Sequence, residues 1–230
     1  MEPVKVWQNP CTSNLRAVKM ARALRAAAPR TVDLIDRPVR PEVTEMDSLV
    51  TYLVTAMLSW VPLHAHAPFE SEADAQERYE SIARDVAAVA MDGGEEPLFG
   101  GTNGRSETAI LMLSIASFES SFKKKVDDGI GRGDHGRSYC LMQIHVGNGT
   151  TPEGWSGPEL IDNRQRCFRA ALHILRGSFG VCHGLPMEDR LSAYATGQCL
   201  PNVAISRSRI GRARTFWEAH SPPATLPRET

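Results

Sequence analysis

The chain has 230 residues, of which 42% are hydrophobic and 23% charged, and its formal net charge is −1 at pH 7. These are ordinary globular values that exclude a disordered tail, a collagen-like repeat and a polybasic arm, and they leave no charge-based case for nucleic acid or an anionic membrane as partner. The length fits one large domain, or one ordinary domain with an extension. Charge is unevenly spread. Nine acidic residues face two arginines between His66 and Leu98, whereas Cys199 to Trp217 holds four arginines and no acid, a pattern expected of a solvated helix face.

Residues 1–45 form an extension of unassigned role, with a short strand expected at Val4–Trp7 and breaks at Pro38 and Pro41. The first ten residues lack a charged stretch followed by an apolar one, so no secretory signal is expected. The longest apolar run, Leu49–Leu63, is interrupted by Thr51, Thr55 and Ser59 and closed by Pro62. It falls short of the ~20 residues a bilayer requires and predicts a buried helix, capped by Asp47 and ending near Trp60. Ser71 opens a long amphipathic helix to about Met91, whose Tyr79, Ile82, Val86 and Val89 recur at steps of three and four and make one buried stripe. Glycine pairs at 93–94 and 100–101 punctuate the chain before a helix predicted from an N-cap at Ser106 to about Val126. Glycines and short polar runs from Gly129 to Ile144 predict a small irregular sheet. Helices follow at about 163–176, 188–195 and 203–220, the last capped by Asn202, and a proline-rich tail occupies 219–230. The fold class is therefore mostly α with a small β-sheet.

Five cysteines qualify the cellular setting. Cys11 stands alone, while Cys140, Cys167, Cys182 and Cys199 fall within sixty residues. Zinc would recruit His173 or His183, but no Cys-x-x-Cys pair is present; unpaired buried thiols are another reading. Two disulfides among the four, with Cys11 free and the connectivity open, are expected, and they imply work outside a reducing cytosol.

Glu119 stands out on chemical grounds. Its helical neighbours would be Met112, Ile115, Ala116 and Phe122, an apolar stripe on which an ionised carboxylate is costly. Desolvation disfavours the charged form, and a carboxyl kept protonated near neutral pH is what acid-catalysed glycosidic cleavage requires. The competing reading places Glu119 at the stripe's edge with its head in water. The run Gly131-Arg-Gly-Asp-His-Gly136 has the spacing of a dinucleotide loop but follows a helix end instead of a strand, so its glycines are read as permitting a sharp turn and a close approach to ligand. His64-x-His66 lacks an evident acidic partner and reads as a loop feature. Lys123–Lys125 complement a helix C-terminus.

Three blocks carry a resemblance. Glu119-Ser-Ser-Phe122, Leu141-Met-Gln-Ile144 and Ala193-Tyr-Ala-Thr-Gly197 resemble, in order and spacing, the signature blocks of soluble lytic transglycosylases and goose-type lysozymes. The resemblance covers about residues 46–218. It implies a lysozyme-like helical domain with its sheet beside an active-site cleft, acting on peptidoglycan glycan strands without a cofactor or metal. Glu119 would be the catalytic acid, with Met142, Gln143 and Tyr194 lining sugar subsites and Ser120 and Ser138 hydrogen-bonding to glycan or to Glu119. Asp134 would occupy the position of a water-positioning carboxylate. Two positions depart from the pattern: Cys140 replaces a glycine and Ala195 an asparagine. His145 stands where goose-type enzymes carry a second aspartate, which favours the lyase reaction over hydrolysis. An inactive lysozyme-like structural component is the alternative outside enzymes. A wall-cleaving domain without a signal suggests a virion, phage-tail or secretion-machine setting.

Overall fold

A computed structural model describes residues 42–67, 69–146, 149–220 and 222. Cys11, the strand expected at Val4–Trp7 and most of the proline-rich tail lie outside the described residues.

One helix is apolar on nearly every side, and the others are arranged to cover it. This is α3, Gly104–Glu119, in which every residue from Thr108 to Ser117 is buried. Its sequence gives no polar face to present to water, so it must be surrounded. The covering elements are α1 (Glu42–Trp60), α2 (Glu72–Met91), α6 (Arg164–Val181) and α8 (Ala204–Ala219). Short helices α4 (Lys124–Asp127), α5 (Gly157–Asp162) and α7 (Ser192–Thr196) and three 3-10 turns complete the helical part. The sheet is a single antiparallel pair, β1 (Ser138–Tyr139) with β2 (Ile144–His145), in the register Ser138 opposite His145 and Tyr139 opposite Ile144. The architecture is mostly α with a small sheet, as the glycine pattern and periodicities predict.

Several local expectations hold. The Ser71 hydroxyl caps α2 by accepting the Asp74 N–H at 3.1 Å, and Tyr79, Ile82, Val86 and Val89 form the fully buried stripe. Others move. The helix expected to start at Asp47 begins at Glu42, so residue 46 lies inside α1. The N-cap of α3 is Asn103 in place of Ser106, and that of α8 is Val203 in place of Asn202, which adopts a left-handed φ of 61°. The helix expected over 188–195 is split into a 3-10 turn, Met187–Asp189, and α7.

Two disulfides join the four clustered cysteines: Cys140–Cys167 ties the β-turn to α6, and Cys182–Cys199 ties the end of α6 to the chain beyond α7. The four arginines of the last helix are not a free solvated face. Arg207 pairs with the fully buried Asp189, Arg214 with Glu188, Arg209 with Glu119, and Arg212 donates to the Ser117 hydroxyl. His66, expected in a loop without an acidic partner, is buried on a 3-10 turn with Glu70 at 3.7 Å and the Tyr79 hydroxyl at 2.6 Å. No helix among the described residues is long and apolar enough to cross a membrane.

Candidate active site

The position of Glu119 depends on how α3 ends. Sequence periodicity carries this helix to Val126, but it stops at Glu119, and Ser121 and Phe122 both turn to a positive φ of 50°. The break has local and distant causes. The Ser120 hydroxyl donates to the Ala116 carbonyl at 2.8 Å and accepts the Phe122 N–H at 3.2 Å, which offers the backbone an alternative to the helical ladder. From α2, Arg78 donates to the Phe122 carbonyl while paired with the buried Glu70, and the Phe122 ring packs edge-on against Tyr79 at 5.5 Å. Phe122 is thus a hook into the core, not the next residue on the Glu119 stripe. Lys123–Lys125 accordingly stand at the start of α4 instead of completing a long helix's C-terminus.

Ending the helix there leaves Glu119 at a cleft wall. Its side chain is 21% exposed, and Oε1 lies 2.5 Å from Arg209 Nη2. Burial pushes the Glu119 carboxyl above the ordinary glutamate range, Arg209 opposes that shift, and the charge of Asp134 adds to it. The same cleft is lined by Asp134, Gln143, His145, Tyr194 and Arg209. The second and third sequence blocks therefore meet the first around one carboxyl group. Asp134 is the opposite case: 67% exposed, it accepts the Ser138 hydroxyl at 2.6 Å and has His145 Nδ1 at 3.5 Å. The Ser138 hydrogen bond, with His145 contributing, holds its carboxyl below the usual aspartate range.

The remaining predicted residues divide into those that face the cleft and those that build it. Tyr194 lines it; its hydroxyl donates to the Met142 carbonyl at 3.2 Å, and burial pushes its phenol up. Gln143 lines it too, but its amide is an internal brace: Oε1 accepts the Gly133 N–H at 2.7 Å and Nε2 donates to the Cys140 carbonyl at 3.0 Å. The Met142 side chain is wholly buried in the core, so only its backbone is directed to Tyr194. Ser120 and Ser138 are buried as well, and neither bonds Glu119: the first serves its own helix end, the second Asp134. The close approach expected of the glycine-rich loop is made to a side chain of the protein itself, because a Cβ on Gly133 would stand 2.6 Å from Gln143 Oε1.

Backbone conformation marks the same region. Among the described residues, Ser121, Phe122, Asp134, His135, Cys140 and Gln143 are six of the seven non-glycine positions with positive φ. Such conformations are uncommon for residues with a side chain and gather where surrounding structure over-determines them, often at functional sites. Here the restraints are the Arg78 hook, the Gln143 brace and the Cys140–Cys167 disulfide.

The sequence reading does not single out Arg209 or the use of α8 as a wall of this cleft, although a signal exists. Arg209 lies four residues before Ala213 and seven before Phe216 on the buried face of α8. An arginine on an apolar stripe requires a partner, as a glutamate on one does. Another half-buried acid, Glu107, has its carboxyl raised by burial, but it sits near the other end of α3 in an apolar cavity lined by Phe99, Ile110 and Trp217. None of the three sequence blocks reaches that cavity. No group of His, Cys, Asp and Glu able to hold a metal occurs among the described residues, and His173 is engaged by Glu95 and Glu153.

Comparison with known proteins adds no identity: no family model, no characterised protein and no solved structure matches this chain.

Proposed function

We propose that this protein cleaves the glycan strands of peptidoglycan at the β-1,4 bond between N-acetylmuramic acid and N-acetylglucosamine, as a lytic transglycosylase with Glu119 as its acid and base. The observation that carries the reading is the meeting of all three sequence blocks around a part-buried carboxyl whose ionisation is disfavoured. In the first step the protonated Glu119 gives its proton to the bridging oxygen. The bond from that oxygen to the muramic anomeric carbon breaks, and the N-acetylglucosamine 4-hydroxyl leaves. In the second step the muramic 6-hydroxyl bonds to the anomeric carbon and its proton returns to Glu119. The product is a 1,6-anhydro sugar; no water is consumed and no second carboxylate is required.

A hydrolytic reading has one observation in its favour. Asp134 lies in the same cleft, exposed and held in its ionised form, as a carboxylate that positions or activates water must be. Mass spectrometry of muropeptides from a digest of purified peptidoglycan decides between the two. The transglycosylase reading expects 1,6-anhydro ends, one water lighter than reducing ends. Reducing ends alone would identify a lysozyme, and no release at all would leave a structural component with a lysozyme-like cleft.

A further inference from the structure

The Glu119 carboxyl is contacted from α8 by Arg209. Arg209 is only 9% exposed, and both its backbone and its head are anchored on α3, the helix that carries Glu119. The Ser114 hydroxyl donates to the Arg209 carbonyl at 2.7 Å, and Arg209 Nη2 reaches Glu119 Oε1 at 2.5 Å. One turn further on, Arg212 locks the same seam, donating to Ser117 Oγ at 2.7 Å with its guanidinium 3.8 Å from the Phe118 ring centroid. We infer that Arg209 is a positioning residue that holds Glu119 as the carboxylate between proton donation and proton return, and so sets the pH range in which one group serves both steps. This rests on the reading of Glu119 as acid and base.

The groups facing Glu119 come from several elements. Asp134, on its 3-10 turn, disfavours the charged carboxylate; Tyr194 faces it from α7; His145 of β2 acts at one remove by pairing with Asp134. Arg209 is the charged group in contact. Burial alone would leave Glu119 a willing acid that is slow to persist as a carboxylate. Arg209 alone would leave it ionised and unable to donate. The two act in opposite directions on one carboxyl, and a group that must both give and take back a proton requires that neither wins outright.

The test uses the full chain with Arg209→Met, which removes the charge at similar volume, and Arg209→Lys, which retains it. Arg209→Gln replaces the methionine variant if that one folds poorly. Titration of the Glu119 carboxyl carbon by NMR, assigned with Glu119→Gln, is followed alongside the pH dependence of kcat/KM for muropeptide release. In Arg209→Met, Glu119 should titrate about one pH unit or more higher, the scale of a contacting counter-charge. The basic limb of the rate profile should move the same way, an about tenfold change in protonated fraction at a fixed pH on that limb. Arg209→Lys should keep the titration of Glu119 and the position of the limb near those of the parent, whatever its effect on the height of the profile. A merely structural arginine would lower the rate at every pH and leave the limb in place. The inference is overturned if Glu119 titrates as in the parent, or if it shifts while the rate limb does not. If the parental protein releases no muropeptides, the peptidoglycan reading fails, and the titration by itself decides whether Arg209 sets the charge on Glu119.

Discussion

Glu119 and Asp134 enter the same cleft from walls of different construction. The first is the last residue of a buried helix, and its side chain is 21% exposed; the second lies on a 3-10 turn, and its side chain is 67% exposed. The helical wall removes water from the carboxyl and raises its proton affinity, with one arginine limiting the effect. The sheet-side wall leaves the carboxyl in water and supplies a serine hydroxyl, which lowers it. Residue type is nearly the same on both sides, so it is the environment that separates a carboxyl whose ionisation is disfavoured from one whose ionisation is favoured.

Breaking each wall in turn sharpens that contrast. The largest effect is expected at Glu119. Glu119→Gln keeps the size and cannot donate to a glycosidic oxygen, so muropeptide release should fall at least ~10²-fold, the usual scale of a general acid, with the thermal melt retained. Asp134→Asn should cost less than ~10-fold in a transglycosylase; a loss matching that of Glu119→Gln would turn the assignment toward hydrolysis.

Next come the disulfides. Loop-closure entropy assigns about 3.5 kcal/mol to Cys140–Cys167 and about 3 kcal/mol to Cys182–Cys199, from sequence separations of 27 and 17. Paired serine substitutions followed by urea unfolding should show similar losses. Only the first pair should also lower the rate well below the unfolding temperature, because Cys140 and Gln143 share the turn that braces the Asp134 wall. Equal rate losses would show that the brace is not specific.

A smaller change is expected at Gly133→Ala. The added Cβ would meet Gln143 Oε1 at 2.6 Å and displace the amide from the Gly133 N–H. A stability loss of about 1 kcal/mol and a several-fold slower release should follow; an unchanged rate would mean that Gln143 does not hold the wall in its working shape.

The smallest effect lies outside the cleft. Burial works against the charge on His173, but its hydrogen bonds to Glu153 and Glu95 outweigh that, and its folded value is raised. The contribution of protonated His173 is therefore fully present below the ordinary histidine value of about 6.5 and is lost as pH rises through the folded value. Melting curves of parent and His173→Gln should differ most at the acid end of that window and converge above it. A constant difference would assign His173 a packing role only.

How much of this was readable in the chain depended on the range of the forces involved. The α2 stripe, the Ser71 cap, the turn-rich sheet segment and the place of Glu119 at the end of an apolar helix all arise from neighbours within a few positions, and periodicity exposes them. The end of α3 does not. Residues 120–126 suit a helix locally, and what stops it includes an arginine 44 positions away on the Phe122 carbonyl. The pairing of Arg209 with Glu119 spans 90 positions, and locally the α8 arginines read as a solvated face; the four cysteines admit several connectivities, so only their need for partners is visible. Ser120, Ser138 and Met142 illustrate the remaining difficulty. Local sequence marks which segments build the cleft, but it does not separate side chains that face the cleft from those that turn inward to support it.

The cleft holds two carboxyl groups, and their surroundings impose a split between them. That split is tested most directly by titrating both in the unmodified protein, following the side-chain carboxyl carbons by NMR with Glu119→Gln and Asp134→Asn as assignments. Glu119 should titrate above the ordinary glutamate range and Asp134 below the ordinary aspartate range. Both groups titrating at ordinary values, or Asp134 holding its proton to higher pH than Glu119, would contradict the split.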